Sequence, residues 1–149
     1  MSEDRICWGV LARKAQDSVD VCQTNLARAN EKHQRLVASR ERLASLYEEY
    51  CQQELMPEAK TWDAQVQLNH RQFMSQLLRV MERLDKDLAI AKQTMQQAAH
   101  ALVQAQLQLR KMNTLEEQQE KKISLARESR EQRRLDELAV MRFNLKTLG

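Results

Sequence analysis

The sequence predicts an all-α fold, a long two-stranded antiparallel coiled-coil hairpin with a C-terminal helical overhang, and three observations carry that expectation. Only 2 Gly and 1 Pro occur in 149 residues, too little punctuation for sheets with tight turns or for a loop-rich domain. Charged residues make up 30% of the chain and aromatics 4%, a balance that suits long solvated helices and leaves too little apolar bulk for a thick core. The second half carries an unbroken alternation of three- and four-residue steps between apolar positions, the spacing that keeps a narrow stripe on one side of a helix.

Helix one is expected over about residues 3–56. Its apolar steps run Ala15, Val19, Cys22, Leu26, Ala29, Leu36, Leu43, Tyr47 and Tyr50, with His33 and Arg40 as polar interruptions. Pro57 disfavours helical geometry at Met56 and is itself suited to starting a helix, so the corner is expected at about residues 57–61, with Thr61 as a capping candidate. Trp62 is then expected to pack over the end of the coil, the alternative being a contact for a partner, and Asp63 sits favourably at a positive helix N-terminus.

Helix two is expected from about Thr61 to about Phe143, roughly 120 Å at about 1.5 Å per residue. Its seam reads Met74, Leu77, Met81, Leu84, Leu88, Ala91, Met95, Ala98, Leu102, Ala105, Leu109 and Met112, and the repeat continues to Glu116 and Gln119. After Ile123 and Ala126 it lands on Arg130, Arg133 and Glu137, so the apolar stripe fades. A corner near residue 58 places opposite residues at numbers summing to about 117, with Glu3 facing about Thr114, so the stripe fades where helix one runs out. The last third of helix two is therefore expected to project without a partner, and the whole chain reads as a single coiled-coil domain.

Formal charge is +3, from 24 basic and 21 acidic residues, a small and interspersed excess that does not point to nucleic acid or an anionic membrane. From Arg110 onward ten basic residues meet seven acidic ones, so the excess resides in the overhang. Glu3 and Asp4 interrupt the start, and no apolar run approaches a membrane span, which gives a cytoplasmic expectation. Cys7, Cys22 and Cys51 lack paired metal spacing and read as reduced thiols, and His33, His70 and His100 are too far apart to converge. No phosphate loop and no cleft for paired acids is evident, so neither an enzyme, a cofactor nor a small-molecule ligand is expected.

Two local segments resemble the flagellar export protein FliJ family, the small coiled-coil component of flagellar type III secretion. The first is Asn69-His70-Arg71-Gln72-Phe73-Met74-Ser75-Gln76-Leu77, similar to the family's segment after the coil tip, where a Phe and a Leu four residues on form an exposed apolar pair. The second is Glu131-Gln132-Arg133-Arg134-Leu135-Asp136-Glu137-Leu138-Ala139, similar to the family's C-terminal run of Gln, two basic residues, an apolar residue and Asp-Glu. Tyr50 matches the family's tyrosine near the end of helix one. Trp62 departs from the pattern, lying eleven positions before Phe73, where family members often carry a longer, Gly-richer tip with a Trp close to the Phe.

The resemblance implies a stalk similar in shape to the rotary central subunit of ATP synthases, inserted into the export ATPase ring and promoting its assembly and activity. Arg130, Gln132, Arg133, Arg134, Asp136 and Glu137 would then contact the ATPase, and Phe73 and Leu77 the cytoplasmic linker of the export-gate membrane protein. Export chaperones are further partners it implies, and the chain would lie in the cytoplasm, peripheral at the inner face of the membrane. The repeat places Leu77 in the seam and Phe73 one position before it, whereas the resemblance places both outward. Alternatives of the same shape are an injectisome stalk and a scaffold that dimerises through the overhang. Nucleic-acid binding by the basic tail is disfavoured by its interleaved acids.

Overall fold

The computed structural model describes residues 7–148 and is an all-α helical hairpin. Helix α1 runs Trp8–Leu55, a 3₁₀ turn occupies Pro57–Thr61, and α2 runs Ala64–Thr147 over 84 residues. The expected helical residues before Trp8 and the Glu3–Thr114 pairing involve positions outside the described residues. The chain divides into two compact units, residues 20–104 and residues 1–19 with 105–149.

In the unit of residues 20–104 the seam forms as the repeat requires. Leu77, Met74, Met81 and Ala91 are buried, while Leu84, Leu88, Met95, Ala98 and Leu102 are half-buried. Facing them on α1, Ala29 is buried and Cys22, Leu26, His33, Leu36, Arg40, Leu43, Tyr47 and Tyr50 are half-buried. Arg40 Nε donates to Asp85 Oδ1 at 2.7 Å, which turns a polar interruption of the stripe into an interhelical pair. Such a pair adds little energy while exposed to water, but it penalises registers that leave Arg40 over apolar surface.

That pair corrects the register. Arg40 and Asp85 have numbers adding to 125 rather than the expected 117, so the point of reversal is Trp62–Asp63 and not Pro57. The physical reason lies in the turn. Pro57 ends the α-helical bonding, but the chain continues as a 3₁₀ helix, in which the N–H groups of Ala59 and Trp62 donate to carbonyls three residues before them at 3.0 and 3.3 Å. Extended backbone at Met56 (φ −75°, ψ 147°) and Trp62 (φ −65°, ψ 136°) brackets it, and α2 starts only after the second.

Within one residue of that sum, Leu26 comes opposite Ala98 and Ala29 opposite Met95, small against large, whereas Leu36 comes opposite Leu88 and Leu43 opposite Met81.

In the unit of residues 1–19 and 105–149, Ala12, Ala15 and Val19 are buried, and Ala105, Leu109 and Met112 are half-buried across from them. A Cβ placed on Gly9 would lie 3.2 Å from Glu116 Oε1, so these two also meet at numbers adding to 125. Trp8, Leu115, Glu116 and Gln119 are the last half-buried residues, and from residue 120 to 148 every side chain is exposed although α2 continues to Thr147.

Replacing Leu77 by Asp, which buries an unpaired charge, is expected to cost about 3 kcal/mol or more and to lower the melting temperature sharply. Leu125→Asp, on the fully exposed stretch, is expected to stay within about 0.5 kcal/mol. Thermal unfolding followed by circular dichroism distinguishes the two, and equal effects would contradict the assignment of paired and unpaired segments.

Candidate functional site

The tip is built around the start of α2. Asp63 Oδ1 accepts the Val66 N–H at 2.8 Å, and the Asp63 carbonyl accepts the Gln67 N–H at 3.1 Å. Asp63 is therefore the N-cap, satisfying a donor that the helix itself leaves open. The expected cap, Thr61, instead donates its hydroxyl to the Glu58 carbonyl at 2.6 Å, because α2 begins after the extended Trp62–Asp63 step.

Two turns into α2, His70 is buried among aromatic rings. Its ring centroid lies 5.4 Å from Tyr50 and 5.0 Å from Trp62, both tilted. His70 Nε2 lies 3.0 Å from Glu54 Oε1, but not in the geometry of a directed hydrogen bond, so that buried nitrogen lacks a well-aligned acceptor. A cavity of about 250 Å³ opens beside it, lined by Glu54, Ala59, Trp62, Gln67, His70 and Arg71. One turn down α1, a hydrogen bond with the Cys51 side chain, reinforced by that group's charge, holds the Tyr47 phenol above its ordinary value.

Phe73 and Leu77, the pair that the resemblance places outward, sit differently here. Leu77 is 6% exposed, within the seam. Phe73 is half-buried, with its ring 4.7 Å from that of Tyr50. The heptad accounts for this: Met74, Leu77 and Met81 hold the seam, and Phe73 flanks it one step before Met74.

The tail carries Arg130, Gln132, Arg133, Arg134, Asp136 and Glu137 on the exposed part of α2. The Gln132 amide donates to Asp136 Oδ1 at 3.2 Å, along one face. Among and beyond these charges the exposed end of the chain bears large apolar side chains: Leu135, Leu138, Val140, Met141, Phe143 and Leu145 on α2, and Leu148 just past it. Emphasis on the charged run hides this apolar end from a reading of sequence, although Leu138, Met141, Leu145 and Leu148 repeat the three-four spacing of the seam.

Cys7 is exposed and Cys22 and Cys51 are half-buried, all as free thiols. Among the described residues no group of three or more His, Cys, Asp or Glu converges to hold a metal, and no helix is long and apolar enough to cross a membrane. What the arrangement offers is surface: an aromatic and acidic tip, and a charged and apolar helix without a partner helix among the described residues.

Asp63→Ala is expected to destabilise the chain by about 1 kcal/mol through loss of the cap, and Thr61→Ala by less. Chemical denaturation of the two variants measures the difference, and a larger loss for Thr61→Ala would contradict the assignment.

No curated protein and no solved structure matches this chain. The sequence does match the family described as Flagellar FliJ protein over residues 9–148, which takes in both helices and the tip. The chain therefore belongs to the flagellar FliJ protein family.

Proposed function

We propose that this chain, as the FliJ component of flagellar type III export, is a stalk whose C-terminal overhang enters the export ATPase ring and promotes its assembly and turnover. The observation that carries the reading is that α2 continues to Thr147 while residues 120–148 are exposed throughout. Without tertiary packing such a stretch holds its helix by propensity and local pairs alone, and its exposed apolar faces mark it as a surface for a partner. Arg130, Arg133 and Arg134 then meet acidic loops of the ring, and Asp136 and Glu137 meet basic ones, which fixes register and encounter more than raw affinity. Gln132, bound to Asp136, orders that carboxylate.

At the other end the reading places the export-gate linker against Phe73, with Leu77 supporting that ring from within the seam rather than touching the partner. Export chaperones dock along the same rod. The working place is the cytoplasmic side of the membrane, reached by peripheral contact. The family assignment favours the flagellar system over the injectisome alternative.

Mixing the chain with the export ATPase of the same genome is expected to raise ring assembly and ATP turnover. Deleting the segment after Glu128 abolishes both, and Phe73→Ala leaves ATPase stimulation intact while weakening capture of the gate linker. Stimulation that survives the deletion would overturn the stalk reading.

A further inference from the structure

We infer that the tip of one chain binds the tail of a second copy, an asymmetric contact beyond the proposed stalk role. The argument is complementarity of charge between two exposed apolar surfaces. Around the tip, residues 48–71 hold five carboxylates, Glu48, Glu49, Glu54, Glu58 and Asp63, against Lys60 and Arg71, a balance of −3. Within that acidic setting Leu55 and Met56 stand out at the end of α1, and Val66 and Leu68 on the first turns of α2, with Leu55 86% exposed. Residues 138–148 are the converse: Arg142 and Lys146 with no acid, among six exposed apolar side chains, Leu138, Val140, Met141, Phe143, Leu145 and Leu148.

A basic amphipathic helix end and an acidic apolar patch supply what each surface lacks, a cover for apolar area and a counter-charge. At the tip Glu58 and the Glu54 side chain, 46% exposed, supply the counter-charge that Arg142 and Lys146 meet. Neither surface is complementary to itself, because two tips repel as like charges and two tail ends do so as well. The contact is therefore heterologous, tip to tail, rather than a symmetric pairing of like patches. While it lasts it occupies the tail, so a self-associated chain holds its exposed helix covered until a stronger partner displaces it.

The test uses full-length chains in sedimentation velocity at low salt, with circular dichroism confirming that helicity is unchanged. The wild type is expected to associate in the micromolar range and to dissociate as salt rises. Leu55→Gln with Glu58→Lys removes the tip, and Arg142→Glu with Lys146→Glu removes the tail; both pairs lie on exposed positions, and each variant alone is expected to weaken association roughly tenfold or more. Mixed together, the tip variant lends its intact tail to the tail variant's intact tip, and a 1:1 complex returns. A wild type monomeric up to about 100 µM overturns the inference. So does a tail variant that still self-associates, which would show a contact without the tail, or a mixture that stays monomeric.

Discussion

Everything in this molecule depends on how far the apolar stripe of α2 finds a partner on α1. A two-stranded coil buries a single seam, so each turn of helix is stabilised only where a facing turn exists. In this chain the seam holds through Gln119, opposite the first turn of α1 at Trp8, and then stops while the helix goes on. The seam stabilises the hairpin, and its end defines where the exposed tail begins.

The details of the seam explain why one register holds. A slip of one residue would turn apolar seam positions toward water. Arg40 and Asp85 add a polar constraint at 2.7 Å in the middle of the apolar run. At the tip the aromatic cluster of Tyr50, Trp62, His70 and Phe73, with the Asp63 cap, holds the reversal where the 3₁₀ turn delivers it.

Much of this was legible in the sequence because a heptad is a local geometric rule. All fourteen seam positions expected from Met74 to Gln119 are buried or half-buried, and the stripe fades after them as the repeat requires. The register was not legible, because the effect of Pro57 on direction depends on whether the chain bends or tightens into a 3₁₀ helix, and the proline ring is compatible with either. The cap followed the same error, moving from Thr61 to Asp63. At the candidate contacts the repeat located Leu77 correctly in the seam, against the outward placement implied by resemblance. The buried His70 had no sequence signal beyond its place one step of four before Met74, and its aromatic neighbours, Tyr50 and Trp62, come from the end of α1 and the turn.

The most direct test of the central claim is amide hydrogen exchange along α2, on chain diluted until it is monomeric and again with the export ATPase added. The account predicts slow exchange from residue 74 to 119 and fast exchange from 120 to 148 in the free chain, with protection of the latter appearing on addition of the ATPase. A tail already protected in the isolated monomer, or one that stays fast beside an assembled ring, would contradict the claim that the unpaired end of α2 is the part this protein keeps for its partner.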